Sequence, residues 1–198
     1  MGFSLNTRRL RLRDYENGDA AVIRAAFLDP TQAHYNLTGQ ANEIYVEQHF
    51  NFGLAQRRWQ PRPAYDLAAV LPAGTTIGFC GLKRDYQMRQ AGQLSWHIGK
   101  TYWSHGYATE AAAGLLEFGF LALELATIEA TAFADNAASI RVMEKIGLRP
   151  VHNHPVTSWW RGLTMGERRP VVSYQLRHEQ WLTQRLQQAL HQPMRQAA

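Results

Sequence analysis

LSWHIGKTYWSHGYATEAAAGLLEFGFLALELATIEATAFADNAASIRVMEKIGL, residues 94–148, is the stretch whose reading decides the fold. It opens with an alternating run at 94–98 that reads as a strand and turns at Gly99. A polar loop follows, Trp103-Ser104-His105-Gly106-Tyr107-Ala108-Thr109, and then a long helical run carrying Ala108, Ala112, Leu115, Phe118 and Leu123. A second strand at 127–133 leads into a second helix, opened by Asn136 as N-cap and closed by Gly147. Strand, turn and helix start together make an anion site in principle. The first amides of a helix lack internal partners, and the dipole is positive there. Gly106 lets the backbone approach a ligand closely, and Ala108 adds little bulk. The loop is neither G-x-G-x-x-G nor G-x-x-x-x-G-K-[ST], so taken alone an ordinary strand-to-helix turn is the simpler account.

Working outward, residues 9–13 alternate Arg and Leu and predict a strand with its leucines inward. The arginines then lie on a solvated face or line a cleft. Residues 19–28 predict a short helix stopped by Pro30. Residues 42–59 predict a longer one, with Tyr45, His49, Phe52 and Trp59 on one stripe, a pattern that is usually core. Strands are expected at 65–70 and 75–83 around a Pro72-Ala73-Gly74 turn, with Gly78 and Gly81 as bulge positions. Residues 87–93 read as the next turn. After the central stretch come an aromatic segment at 150–170 with His152, His154, Trp159 and Trp160, a last strand at 171–176, and an amphipathic helix at 179–191. His152 and His154 share a strand face as two metal ligands do, but no third ligand lies near, and surface or cleft histidines are expected, with no metal. Trp181, Leu182, Leu186 and Leu190 are the helix's packing residues, against the body or in a homodimer. Residues 193–198 read as a loose tail.

The chain has 198 residues, 45% hydrophobic and 19% charged, the proportions of one globular domain with its own core. No apolar run reaches membrane-spanning length, and the first residues do not resemble a secretory signal. One cysteine, Cys80, excludes an internal disulfide and a cysteine-rich zinc site, and its apolar run predicts a buried, inert thiol. A cytoplasmic protein with no membrane partner is expected. The net charge of +5 favours an anionic partner, yet no nucleic-acid motif or long basic cluster is present.

Residues 136–148, with Tyr102-Trp103 and Gly106-Tyr107-Ala108-Thr109-Glu110-Ala111 before them, resemble the GNAT superfamily of N-acetyltransferases. The resemblance is to the Rim-type branch, which acetylates ribosomal protein N-termini. It is dense over 94–148 and persists more thinly at 7–13 and 166–181. It implies an α/β (α+β) acyl-CoA N-acyltransferase fold: a mixed, mostly antiparallel sheet of about seven strands, flanked by helices and splayed at the central strands. It implies acetyl-CoA as cofactor and direct transfer to an amine in a ternary complex. In the pattern Q/R-x-x-G-x-G/A, Gly106 and Ala108 match while Trp103 departs from the leading Gln/Arg. The resemblance puts the pyrophosphate on the amides of Ser104, His105, Gly106, Tyr107, Ala108 and Thr109. It puts the pantetheine arm along Trp96, His97, Ile98 and Gly99, freed by a bulge, with Asn136 bonding that arm. Ser139 matches the residue near the sulfur, a candidate general acid, and Lys145 reaches for a phosphate.

His97 is a candidate general base by its pKa range, or equally a structural histidine bonded to a neighbouring strand. Relatives often carry a carboxylate base on this strand, and residues 94–103 contain none. Glu110, Glu117 and Glu124 read as a solvated stripe. The Rim-type resemblance implies a protein N-terminal α-amine as acceptor. Polyamines, aminoglycosides and amino acids are the alternatives within the superfamily. A silent acyl-CoA-binding regulator and a nucleic-acid-binding module are the readings from other classes.

Overall fold

The computed structural model describes residues 2–37, 42–85, 90–151 and 170–191. The elements are β1 (Ser4–Asn6), β2 (Arg11–Asp14), α1 (Ala20–Leu28), α2 (Pro30–Ala33), α3 (Glu43–Ala55), β3 (Ala64–Val70), β4 (Thr76–Arg84), β5 (Ala91–Ile98), α4 (Tyr107–Leu121), β6 (Thr127–Phe133), α5 (Ala137–Lys145), β7 (Arg149–Pro150), β8 (Val171–Arg177) and α6 (His178–His191). The strands form one sheet in the order β1-β2-β3-β4-β5-β6-β8-β7. All neighbours are antiparallel except β5 and β6, which run parallel.

That parallel pair is short. It runs from Ala91↔Thr127 to Gln93↔Glu129 and stops. Beyond it, β5 stays on β4 as far as Gly78↔Ile98, while β6 stays on β8 as far as Phe133↔Val171. Each central strand keeps its antiparallel partner, and the sheet opens between them. The expected bulge in β5 is absent, since its register against β4 is regular from Arg84↔Gly92 to Gly78↔Ile98. The irregularity lies one strand away, at Ala69/Val70 of β3 opposite β4. There Gly78 has φ +154, and a Cβ on it would come within 2.1 Å of the His97 carbonyl oxygen. No side chain fits between β4 and β5 at that point.

Helices cover both faces. On one, α4, α5 and α6 pack Leu115, Phe120, Met143 and Trp181 against Leu12, Leu82, Leu94 and Ile128. On the other, α1 and α3 pack Ile23, Phe27 and Val46 over Tyr15 and Phe79. The alternation of β5 serves both: Leu94 and Ile98 belong to the first core with Trp96 packed on it, while Ser95 and His97 face α1 and α3.

Several expectations change. The strands number eight rather than about seven. β1 is too short for its period to show, and β7 is a two-residue edge strand containing Pro150. Residues 91–93 are strand, not turn. Pro30 does not merely stop α1; it opens α2, with Asp29 accepting from Thr31 N and Gln32 N. On α3 the buried line runs through Val46 and Gly53, because Gly53 lies against the Tyr15 ring, where a Cβ would meet Cδ2 at 2.5 Å. Phe52 and Trp59 are turned outward against each other, so the expected stripe is core only in part. On α6 only Trp181 is buried, and Leu182, Leu186 and Leu190 are exposed. The 152–169 stretch with its histidines and tryptophans, and the 192–198 tail, lie outside the described residues.

A buried ion pair ties the first three strands together. Arg62 Nη2 donates to Asp14 Oδ1 at 2.6 Å, and both side chains are enclosed. Asp14 Oδ2 accepts from Phe3 N at 2.8 Å, Arg62 Nε donates to the Ala64 carbonyl at 2.8 Å, and the guanidinium lies 4.6 Å over the Tyr65 ring. Removing one partner leaves a charge stranded in the core. Asp14→Ala is therefore expected to cost ~3 kcal/mol of stability, and Asp14→Leu with Arg62→Met to recover much of it. Urea denaturation midpoints measure both; equal losses in the single and double variants would show that the pair's charge is not what matters.

Candidate active site

Parallel strands end at the same edge of a sheet, so Ile98 and Phe133, the last residues of β5 and β6, flank the mouth of the gap, and the chain leads from them into α4 and α5. This is where an open parallel pair binds ligands in general, outside the carboxyl ends of diverging strands. Two helix N-termini and the gap-facing edge of β5 converge on the mouth.

The loop from β5 to α4 is built to expose amides. Ser104 has φ 63 and Gly106 φ 78, both left-handed, and Gly106 is the N-cap of the 15-residue α4. Asp29, Asn42 and Asn136 cap α2, α3 and α5 with side-chain oxygens, but α4 has no side-chain cap. The leading amides of Tyr107, Ala108 and Thr109 are left for a ligand or water. Ser104, His105 and Gly106 are exposed; Tyr107, Ala108 and Thr109 are half-buried. Trp103 replaces the expected Gln/Arg with a different function, since its indole Nε1 donates to the Ile98 carbonyl at 2.6 Å and braces the loop on the strand. His105 Nδ1 donates to the Trp103 carbonyl at 2.7 Å, and its ring stacks on Tyr107.

Glu110, expected on a solvated stripe, is enclosed and engaged. Its Oε1 accepts from Thr7 Oγ1 at 2.7 Å and from Arg9 N at 2.5 Å, and its Oε2 from Arg9 Nε at 2.6 Å. Burial pushes this carboxyl up, but the hydrogen bonds from Thr7 and Arg9 outweigh it and hold the group below the usual range. Arg9 Nη1 also donates to the His105 carbonyl at 3.0 Å. The first strands are thus bolted to the loop across the sheet, which no local pattern in the sequence announces.

The unpaired edge is the second feature. Gly99 N donates to the Ile77 carbonyl of β4, so by alternation Trp96 and Ile98 turn their backbone groups the other way, into the gap. Among the described residues no strand meets them there. The Ile98 carbonyl is taken by Trp103, while the Ile98 N–H and both Trp96 groups face the opening. Across it, Asn136 is buried and its Oδ1 accepts from Ser139 N at 3.0 Å, leaving the amide NH₂ as the end that can donate outward. Ser139 is half-buried in the first turn of α5. Lys145 is exposed at the other end of that helix, ~12 Å along the axis, so the structure does not bring it to the mouth. An uncapped helix start beside an unpaired strand edge fits a ligand with an anionic end and an extended amide arm, which is the shape of acetyl-CoA.

On the α1/α3 face, His97 stacks on Phe79 with centroids 4.6 Å apart and also meets Phe27. Its Nδ1 is sealed from solvent with no partner among the described residues. Burial, with a smaller push from His49, lowers its pKa to about 4. His49 of α3 lies against Phe27 and Phe79 and is lowered in the same direction by burial. Cys80 is enclosed on the opposite face, and burial keeps its thiol protonated, as expected for an inert cysteine.

A family profile described as "Acetyltransferase (GNAT) domain" matches residues 9–149. The chain is 30% identical over 150 residues to the uncharacterized N-acetyltransferase YoaA of Bacillus subtilis, covering 73% of this chain and 82% of that one. Its fold matches a ribosomal-protein-S5-alanine acetyltransferase from Vibrio fischeri with TM-score 0.72 at 16% identity, over 90% of this chain and 98% of that one. It matches a spermidine N-acetyltransferase from Vibrio cholerae, solved with CoA and spermine, with TM-score 0.70 at 15% identity, over 88% and 98%. The chain belongs to the GNAT family of acetyltransferases and is an acetyl-CoA-dependent N-acetyltransferase.

The buried imidazole sets a pH dependence of stability. Above its ordinary pKa of 6.5, His97 is neutral in both folded and unfolded chains and costs nothing. As pH falls from 6.5 toward about 4, the unfolded chain binds a proton that the folded one refuses, so stability drops across that window. The loss attributable to this group by pH 4.5 is on the order of 2 to 3 kcal/mol. His97→Phe should lose that much less than wild type between pH 7 and pH 4.5 in denaturant titrations. Parallel losses in the two proteins would refute the assignment.

Proposed function

We propose that this acetyltransferase acts on the α-amine of a protein N-terminus, in the manner of the Rim-type branch, and that residues 1–198 form one such domain. The observation that carries this reading is the weakness of the available base. Residues 94–103 hold no carboxylate, and the one imidazole among them, His97, has lost most of its basicity to burial. A strand with so weak a base does little to strip a proton from a strongly basic amine before attack. An α-amine, with pKa ≈ 7.7–8.0, is ~10% unprotonated at pH 7, whereas an alkylamine near 10.4 is unprotonated to only ~0.04%. The site therefore suits an acceptor that arrives already neutral. The surroundings of His97 agree, because Phe27, Phe79 and His49 offer it aromatic contact. The similar fold of the spermidine enzyme leaves acceptor choice open.

In this reading the leading amides of α4 and the loop residues 104–109 hold the cofactor's phosphates. The gap-facing groups of Trp96 and Ile98 and the NH₂ of Asn136 hold its amide arm. Bound there, acetyl-CoA supplies an activated acyl thioester. Holding amine and thioester together supplies much of the rate by proximity. Ser139 Oγ donates a proton to the departing sulfur and regains one from water, while His97 passes the amine's surplus proton on toward water.

The acceptor assignment is tested by release of free coenzyme A with a panel of N-terminal peptides, spermidine, an aminoglycoside and free amino acids. Peptides should turn over best, with the margin over spermidine narrowing as pH rises. A preference for spermidine at neutral pH would overturn the assignment, and no turnover with any amine would leave an acyl-CoA-binding protein. For Ser139, the proton matters only as the carbon–sulfur bond breaks. Ser139→Ala should lower kcat by ~10²-fold, with coenzyme A affinity nearly unchanged. Wild-type kcat in that variant with a good acceptor would reduce Ser139 to a helix-start residue.

A further inference from the structure

Arg9 comes from the far side of the sheet to the loop that receives the anionic end of the cofactor. Its guanidinium is held on three sides. Nε donates to Glu110 Oε2 at 2.6 Å, Nη1 donates to the His105 carbonyl at 3.0 Å, and the flat face lies 4.7 Å over the Tyr107 ring. The remaining edge points at Gly106, where Nη2 stands 3.5 Å from where a Cβ on that residue would be. Among the described residues Nη2 has no acceptor, and the Arg9 side chain is 43% exposed. Glu110 faces the other way, with both carboxylate oxygens already accepting from Thr7 and Arg9. The ion pair therefore presents its positive end to the loop and its negative end to the protein. At the motif position where the family pattern carries Gln or Arg, this chain has Trp103, whose indole is spent on the Ile98 carbonyl.

We propose that Arg9 is a ligand for the phosphate groups of coenzyme A and supplies the cationic donor that position 103 lacks. The guanidinium is fixed before the ligand arrives, so little side-chain freedom is lost when Nη2 takes a phosphate oxygen. The clamp also explains why the pair spans the molecule. An arginine free at the surface would be screened and mobile, while Glu110 and Tyr107 keep this one over the left-handed turn. The proposal rests on the reading that residues 104–109 hold those phosphates, and the experiment separates the two.

Calorimetry with coenzyme A, 3′-dephospho-coenzyme A and pantetheine, at low and high salt, compares wild type with Arg9→Met, Arg9→Lys, Glu110→Gln and Gly106→Asp, each checked for folding by thermal melts. Arg9→Met should weaken both phosphorylated ligands about tenfold at low salt, leave pantetheine unchanged and flatten the salt dependence. Arg9→Lys should recover part of the loss. Glu110→Gln, which removes the counter-charge, should hold or raise the affinity for coenzyme A. Full affinity in Arg9→Met, with binding weakened in Gly106→Asp, would overturn the role of Arg9 and keep the loop. Equal weakening in Arg9→Met and Glu110→Gln, with the wild-type salt dependence, would make the pair a mere brace and also overturn it. Unchanged binding in Gly106→Asp would bring down the loop reading and the proposal together.

Discussion

Parallel pairing between β5 and β6 ends at Gln93↔Glu129, and the site depends on that divergence. A strand leaves its backbone groups unpaired in a protein interior only at a cost, so the opening must face water or a ligand. What makes it stable is that neither strand is left alone. β5 keeps β4 and β6 keeps β8, each in antiparallel register along its length. The sheet is in effect two antiparallel sheets hinged at three residue pairs. Because the hinge is parallel, the two helices that follow these strands start at the same edge. The uncapped start of α4 and the unpaired strand edge are thus consequences of one topological choice.

The two sides of the opening differ in kind. On the α4/α5 side the chain gathers positive backbone ends, with Asn136 and Ser139 at one helix start and Arg9 over the other. On the α1/α3 side it gathers aromatic rings and two histidines that burial keeps neutral. Desolvation, the same effect that costs stability in acid, lowers the basicity of both imidazoles.

Much of the fold was legible from local pattern. The strand at 127–133, the Asn136 cap, the Gly147 stop and the loop at 103–109 stand where capping and periodicity placed them. The leucines of residues 9–13 point inward, as alternation requires. Pattern failed where an element is very short, as with β1, or where a neighbour rotates a helix, as Tyr15 does to α3 through Gly53. It also failed for α6, whose leucines have helical spacing but whose packing rests on Trp181.

What the sequence by itself determined is the order of strand, turn and helix and the chemistry at each helix start, because these depend on residues within a turn or two of one another. The tertiary structure alone decided three things: that β5 and β6 part company without a bulge, that Arg9 meets Glu110 across the sheet, and that His97 stacks on Phe79 with its Nδ1 sealed from solvent. Each depends on groups brought together from distant parts of the chain. Charge pairing and desolvation act through space, and a linear pattern carries no measure of the space between such groups.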